Sequence, residues 1–262
     1  MPRPPARVLT VPVLALGTLL SATACGALEP ESAAKAPVSA APSASAPGTE
    51  PSRASAPALT EAQAQAALIT EADLGEPWTA TRGAATWRDS MLKATAKKAD
   101  CRRLLDSLYA EQLLGPEART RAVTGLDDDW DGAQIRYQVV GHPAEEVDRT
   151  LAWLKSLPRE CAEFTAVTAT GRTAYAQVVE ADLPDIGDAR QGLRIGLSVA
   201  TTPEGDDWTT LTLDLVAVRV GDDAIVLTNG GLGEVPSDAT RAAAELGTQR
   251  LTEVRRQGRA QV

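Results

Sequence analysis

The stretch LTLDLVAVRVGDDAIVL, residues 211–227, decides the fold class. In its first half leucines alternate with Thr212 and Asp214, which is the period-two pattern of a strand with one buried and one solvated face. From Val216 onward the apolar residues occupy both alternating sets, so this half is predicted to be covered on both faces. Gly221-Asp222-Asp223 then supplies a hairpin turn before the next apolar run. The stretch therefore predicts antiparallel sheet.

Other parts of the chain repeat this strand pattern. Apolar residues alternate with polar ones in two further segments, at Ile135, Tyr137 and Val139 and at Leu193, Ile195, Leu197 and Val199. Gly171-Arg172 and Glu204-Gly205-Asp206 are typical of hairpin turns. A meander of strands, each with one buried face, is therefore predicted for this part of the chain.

Four segments have helical periodicity. Thr60 and Gln63 form a capping box for the first helix, which is expected to end before Gly75. The other three are predicted after Asp100 as far as Gly115, from Pro143 to Pro158, and from Ser237 to Gln257. Arg250 lies within the apolar stripe of the last helix, where it is expected to extend toward solvent or meet a carboxylate. Residues 59–262 are therefore predicted to form one α+β domain, an antiparallel meander sheet with helices packed on one face.

The N-terminus has the three-part layout of a secretory signal. Arg3 and Arg7 precede an apolar run at 8–20, and small residues follow. The run is shorter than the ~20 residues that a membrane-spanning helix needs. Residues 1–24 are therefore predicted to be a signal peptide.

Cys25 stands at the expected cleavage point. The preceding small residues resemble a bacterial lipobox, in which the cysteine becomes the lipid-modified first residue. This family usually has Leu three places before the cysteine, where this chain has Ala22, so Ala22-x-Ala24 also fits an ordinary signal-peptidase site. The two alternatives are a lipoprotein anchored through Cys25 and a secreted protein with a free or intermolecular Cys25.

Residues 25–58 are rich in Ala, Ser and Pro and contain no aromatic residue. Such a segment buries too little apolar surface to offset the ordering entropy of ~1–2 kcal/mol per residue, so it is predicted to be a disordered tether. The formal net charge of the chain is −9. This acidity argues against nucleic acid as a partner. The membrane is expected as a partner through the lipid anchor, with the domain on the extracytoplasmic side.

Cys101 and Cys161 are the other two of the three cysteines. In an exported chain a disulfide between them is expected, closing a loop of about 60 residues with an entropic contribution of ~4 kcal/mol. A metal site needs more ligands than two isolated cysteines, and a redox pair is normally a close C-x-x-C motif. Lipidation of Cys25 would leave this one pair, which favours the lipoprotein alternative.

The order of these features resembles a known family. Cys101 at a helix start, the strand around Ile135, the helix that ends Leu151-Ala152-Trp153-Leu154, Cys161 and the segment 219–227 are similar to the extracellular sensor domain of the mycobacterial PknH kinase and its lipoprotein relatives. The resemblance implies an α+β domain with a cleft proposed to take a ligand and with no established catalytic activity. The kinase member has two disulfides, whereas this domain can form only one.

The sequence offers little catalytic chemistry. His142, the single histidine, precedes Pro143 at a predicted helix start and is interpreted as a turn or capping residue. G-x-S-x-G, H-E-x-x-H and phosphate-loop motifs are absent from the sequence. The protein is therefore predicted not to be an enzyme and to need no cofactor.

Two features remain as candidate binding sites. Asp127, Asp129 and Asp131 occupy alternate positions of a calcium-loop pattern, but the twelfth position is Gln138, so an acidic hairpin turn is the simpler interpretation. Trp153 lies at the edge of the apolar stripe of its helix and is a candidate for lining a cleft.

Two functions follow from these expectations. The first is a lipid-anchored, sensor-like binding module that takes a small apolar or amphipathic ligand, or an envelope component, in a cleft between sheet and helices. The second is a lipoprotein that scaffolds or modulates an envelope enzyme or receptor through a surface patch. A deep apolar pocket would favour the first, and an exposed apolar patch the second.

Overall fold

The computed structural model describes residues 58–202 and 207–260. The predicted signal peptide, Cys25, almost all of the predicted tether and the predicted turn at Glu204-Gly205-Asp206 lie outside these residues. The strands are β1 Trp78–Ala80, β2 Ala94–Ala96, β3 Arg119–Asp128, β4 Gln134–Gly141, β5 Glu163–Thr168, β6 Thr173–Glu180, β7 Ala189–Ala200, β8 Trp208–Val220 and β9 Asp223–Leu232. The helices are α1 Glu61–Ala66, α2 Glu71–Leu74, α3 Ala99–Ala110, α4 Ala144–Glu160 and α5 Ser237–Ala260, with a π-helical turn at Arg88–Leu92.

All nine strands form one antiparallel sheet in the order β1-β3-β4-β9-β8-β7-β6-β5-β2. Consecutive strands β5 to β9 form the predicted meander, and β4 pairs with β9 to attach the β3–β4 hairpin. The predicted turn between β8 and β9 is confirmed, because Val220 pairs with Asp223 across Gly221, which has a positive φ of 63°. The α+β class and the antiparallel sheet are thus confirmed.

Helices cover both faces of the sheet, which corrects the expectation that they pack on one. The π-helical turn, α3 and α4 pack on one face, called here the disulfide face. On the other, called the α5 face, lie α1, α2 and α5. The second helical layer is required because β8 becomes apolar on both sides: Ala217 belongs to the core of the disulfide face, and Val216 and Val218 belong to the core of the α5 face.

The predicted disulfide between Cys101 and Cys161 is confirmed, with sulfurs 2.10 Å apart and Cα atoms 5.7 Å apart. It joins the first turn of α3 to the residue that follows α4. Both cysteines are fully buried in the core of the disulfide face. The bond therefore holds together the two main helices of that layer.

On the α5 face, polar contacts position the helices against each other. Arg250 of α5 donates hydrogen bonds to the Leu68 carbonyl and to the Asp73 carboxylate, which confirms its predicted structural role. Tyr137 is fully buried beneath α5, where Gly247 leaves room for its ring, and its hydroxyl donates to the Ala67 carbonyl at 3.3 Å. In the parts of the chain that the structure describes, no helix is both long and apolar enough to cross a membrane.

Candidate functional site

The α5 face is covered by helices over only part of the sheet. Helix α5 packs on β8 and β9, and α1 packs on β3, so within residues 58–202 and 207–260 no helix packs on the same face of β5, β6 and β7. Strand register places the uncovered side chains in three adjoining cross-strand rows. These residues, called here the open face, are Val167, Thr173, Ala200 and Trp208; Thr165, Tyr175, Ser198 and Thr210; and Glu163, Gln177, Gly196 and Thr212.

An open groove of about 660 Å³ runs along this surface, and seven open-face residues line it: Glu163, Thr165, Tyr175, Gln177, Gly196, Ser198 and Thr210. The volume lies in the range of ~300–1,000 Å³ that is usual for ligand sites. The groove is deepened at Gly196, which has no side chain and where an added Cβ would meet no atom within 4 Å. Beside it the hydroxyls of Ser198 and Thr210 are hydrogen-bonded to each other at 2.8 Å. The groove therefore combines open space with uncharged polar groups and one carboxylate, that of Glu163.

Two exposed aromatic rings lie together beside the groove: Tyr175 lines it, and Trp208 packs against Tyr175. Tyr175 and Trp208 are 56% and 50% exposed, and their ring centroids are 5.5 Å apart at an interplanar angle of 63°. Both belong to the exposed large hydrophobic side chains of the described residues, as do Val167 on the open face and Val179 at its margin. Large apolar side chains gathered on one surface typically mark a contact site, whereas single ones need no explanation.

An ion pair between the half-buried Arg194 and the buried Asp214 marks the boundary between the open face and the part covered by α5. The Arg194 guanidinium on β7 donates to both oxygens of Asp214 on β8 at 2.7 and 3.0 Å. It also donates to the carbonyl of Val235 at 3.0 Å, just before α5 begins. Thr240 in the first turns of α5 donates to Asp214 at 2.8 Å. Hydrogen bonding to Asp214 raises the pKa of Arg194, more than burial lowers it.

Charge is sparse on the open face itself. Glu163, near the edge of the sheet, is the one carboxylate of the open face. The charge of Arg194, at the margin of the open face, is neutralised by Asp214. The remaining polar groups are hydroxyls and one amide, which can donate and accept hydrogen bonds without carrying charge. Such a surface suits recognition by hydrogen bonding and by contact with aromatic rings rather than proton transfer.

Of the calcium-pattern residues, Asp127 lies near the end of β3, and Asp129 and Asp131 lie in the acidic turn between β3 and β4. Asp127 accepts hydrogen bonds from the Gln134 amide at 2.7 Å and from the Arg82 backbone at 3.2 Å, and Asp129 accepts from the Arg82 guanidinium. Asp131 donates its backbone N–H to Asp128. Within residues 58–202 and 207–260, no three His, Cys, Asp or Glu side chains are grouped as a metal site requires. These residues serve here as a hairpin turn.

Trp153 connects α4 to α3. Its indole N–H donates to Asp100 at 3.2 Å, and the Arg103 guanidinium lies 3.8 Å from the ring centre, in cation–π geometry. The side chain packs partly buried against the core of the disulfide face. It thus lies on the opposite side of the sheet from the open face.

Other cavities are less suited to an organic ligand. The cavity between α3 and the sheet, near Leu108 and Leu215, measures only about 20 Å³. One of about 630 Å³ near Lys155 and Gln191 is lined largely by charged and amide side chains. A third, of about 330 Å³, is bordered by His142 and several arginines and acids.

His142 borders that third cavity, and its backbone N–H donates to the Asp222 carbonyl at 3.2 Å. Burial, followed by the nearby Arg149, lowers the pKa of His142. His142 therefore lies in a turn just before α4, as the sequence predicts. Pro143 is the residue that caps the helix.

Sequence reasoning did not single out Tyr175, Trp208 or Gly196. A signal was present for Trp208, because it shares the period-two register of Thr210 and Thr212, the polar side of β8. A tryptophan in a solvated register is an exposed aromatic, and the sequence pattern alone could have identified it.

Neither a protein-family model nor a curated protein matches the chain. Among solved structures, the extracellular domain of PknH from Mycobacterium tuberculosis is similar, with 14% sequence identity and a TM-score of 0.42. The match covers 74% of this chain and 98% of that chain.

Proposed function

We propose that this protein is an exported, non-enzymatic binding module that holds a component of the cell envelope on its open face. The observation that carries the proposal is the exposed Tyr175–Trp208 pair beside a groove of about 660 Å³ on an uncovered half-sheet. The groove holds hydroxyl and amide groups as well as aromatic surface, so an amphipathic ligand matches it better than a purely apolar one.

A second function, contact with an envelope protein, is favoured by a different residue. Trp130 at the tip of the β3–β4 turn is 74% exposed and stands between Asp129 and Asp131. Tryptophan is enriched among residues that dominate protein interfaces. A partner bound there would touch the acidic turn and leave the open face free.

One experiment separates the two functions. The complete protein, and variants carrying Tyr175→Ala with Trp208→Ala or Trp130→Ala alone, would be purified gently from the native host and examined by native mass spectrometry. Our proposal expects a co-purified envelope component that is lost from the Tyr175/Trp208 double variant and retained by Trp130→Ala. Recovery of one protein partner that is lost only from Trp130→Ala would contradict it.

The proposal includes a lipid anchor at Cys25 and a location on the extracytoplasmic face of the membrane. It is supported by the lipobox-like sequence and by the pairing of Cys101 with Cys161, which leaves Cys25 as the remaining cysteine. Substituting Cys25→Ser should abolish acylation and release the protein from the membrane fraction. Unchanged retention in that fraction would contradict the anchor.

A further inference from the structure

We infer that the component bound on the open face is an uncharged glycan, stacked on Trp208 and Tyr175 and hydrogen-bonded by the hydroxyl and amide groups of the groove. This inference rests on the proposed function, because it names the chemical class of ligand for the same site. It follows from four properties of the surface: its hydrogen-bonding groups, its rings, its shape and its charge.

Hydroxyl and amide side chains match the chemistry of a sugar. Each sugar hydroxyl both donates and accepts, and so do the side chains of Thr165, Gln177, Ser198 and Thr210, which line the groove. In the Ser198–Thr210 contact one hydroxyl donates to the other, so the accepting hydroxyl still has its own proton to donate. An apolar ligand would instead cover these groups without offering them hydrogen bonds, at a cost of roughly 1–3 kcal/mol for each group left unpaired.

The aromatic pair supplies the apolar part of the site. A sugar ring has a face of C–H bonds that packs on an aromatic ring, while its hydroxyls point outward around the rim. Trp208 and Tyr175 are about half exposed, so their ring surfaces are accessible beside the groove. The angle of 63° between the rings presents two differently inclined surfaces, which suits successive sugar units of a chain better than one flat ligand.

The shape of the surface fits an extended ligand. Strands are spaced ~4.8 Å apart, so the open face spans about 14 Å from β5 to β8. Gly196 lies near the middle of this span, where an added Cβ would enter empty space. A ligand can therefore approach the backbone of β7 there. These dimensions suit an oligosaccharide segment rather than a single sugar.

The charge of the open face and its position in the sheet argue against anionic ligands and against a peptide strand. The chain has a formal net charge of −9, and Arg194, the cation at the margin of the open face, is neutralised by Asp214. An anionic polymer or a phosphate-bearing headgroup would therefore find no free cation on the open face. A peptide added as a strand would pair with the backbone at a sheet edge, whereas most of the residues that line the groove present side chains from the face of β6, β7 and β8.

The test uses the complete exported chain carrying Cys25→Ser and a panel of neutral polysaccharides, namely a glucan, a mannan, a galactan and an arabinan, with hyaluronate as an anionic control. Affinity electrophoresis measures retardation, and the part of the tryptophan emission that Trp208→Phe removes is the contribution of Trp208, one of five tryptophans in the chain. We expect at least one neutral polysaccharide to retard the protein and shift its emission to shorter wavelength, and hyaluronate to have no effect. Stronger retardation by hyaluronate than by the four neutral polymers would overturn the inference.

Variants locate the binding. Trp208→Ala and Tyr175→Ala should each weaken it about tenfold or more, as loss of a central contact does. Trp208→Phe should restore much of it, and Trp130→Ala, the matched exposed tryptophan, should leave it unchanged. Gly196→Val adds a strand-compatible side chain in open space, so it should fill the groove and weaken binding without loss of the fold.

Other outcomes distinguish this inference from the proposed function. If none of the four neutral polysaccharides binds, but envelope-component recovery still depends on Tyr175 and Trp208, the glycan assignment fails and the binding module stands. If recovery is also independent of both residues, both proposals fail. A dimer detected by sedimentation that dissociates in Trp208→Ala would assign the open face to a second copy of the chain, and the glycan would be excluded.

Discussion

The part of the α5 face over β3, β4 and β9 is closed by helices, whereas the part over β5, β6 and β7 is open, and β8 runs through both. In its closed half β8 presents Val216, Val218 and Val220, all buried. In its open half the same register holds Trp208, Thr210 and Thr212. The backbone pairing to β7 is continuous along the whole strand. The two halves therefore differ mainly in side-chain chemistry: the apolar half is covered by a helix, and the polar half remains available for binding.

The boundary between the two halves lies at Asp214, where β8 changes from polar to apolar. A carboxylate that is only 3% exposed requires partners, and Arg194 from the open side and Thr240 from the closed side supply them. Because Arg194 also binds the carbonyl of Val235, the same contact positions the start of α5. The ion pair thus fixes the position at which α5 stops covering the sheet.

The largest effect is expected from breaking this boundary. Arg194→Ala leaves the Asp214 carboxylate, which is 3% exposed, with Thr240 as its remaining side-chain donor, and removing the partner of a carboxylate buried this deeply costs about 3–5 kcal/mol. Arg190→Ala is the matched control on the same strand, because its partner Asp185 is 94% exposed, and it should cost below about 1 kcal/mol. Urea unfolding measures both. Equal losses in the two variants would show that the boundary pair has no special role.

Truncating one apolar side chain in each half to alanine should give the next largest difference in the free energy of unfolding. Ile225 is fully buried beneath α5, so Ile225→Ala should reduce the free energy of unfolding by about 2–5 kcal/mol. Val179 at the margin of the open face is 41% exposed, and Val179→Ala should change the free energy of unfolding by under about 0.5 kcal/mol. Thermal melts followed by circular dichroism measure both. A comparable loss for Val179→Ala would mean that something covers the open face.

Two glycines sharpen the difference further. Gly247 of α5 lies against Tyr137, so a methyl group there must displace the ring, and Gly247→Ala should cost about 1–2 kcal/mol even after the better helix propensity of alanine. At Gly196 the added methyl enters open space, and Gly196→Ala should be neutral or up to about 1 kcal/mol stabilising. Chemical denaturation compares the two, and a stabilising Gly247→Ala would contradict the packing described here.

Much of the closed half was predictable from sequence. Val216 and Val218 follow Asp214 in the register that had been polar, which indicated cover on both faces, and the disulfide followed from the pairing of Cys101 and Cys161. The helix ends were less predictable. Pro158 lies inside α4 rather than ending it, because a proline in the last turn removes only one late hydrogen bond. The predicted first helix breaks after Ala66, and a second capping box begins α2 at Thr70.

The open face was predictable only residue by residue. Alternation indicated that Gly196, Ser198 and Thr212 face solvent, but not that they lie beside Tyr175. That neighbourhood depends on the strand order, which local patterns do not specify. β6 carries small apolar residues at Ala174 and Ala176, which gave little periodic signal, so its solvated aromatic was missed.

The smallest expected effect concerns how the closed half is held at low pH. Burial alone would raise the pKa of Asp73, but hydrogen bonds from Thr70 and the charge of Arg250 outweigh it and hold the pKa below the ordinary value of 3.8. A carboxylate with a lowered folded pKa stabilises the protein above its unfolded pKa, and this contribution is lost as pH falls through the folded value. Asp73→Asn should therefore cost below about 1 kcal/mol at neutral pH.

The same substitution gives the pH test. Because the wild type loses this contribution in acid and the Asn variant lacks it throughout, the difference in their free energies of unfolding should shrink as pH falls below 3.8. Urea unfolding between pH 7 and pH 2.5 measures it, with Glu245→Gln on the exposed side of α5 as control. A difference that stays constant over this range would mean that Asp73 supports α2 as a capping residue and not through its charge. The contact between α2 and α5 would then be independent of the Asp73–Arg250 pair.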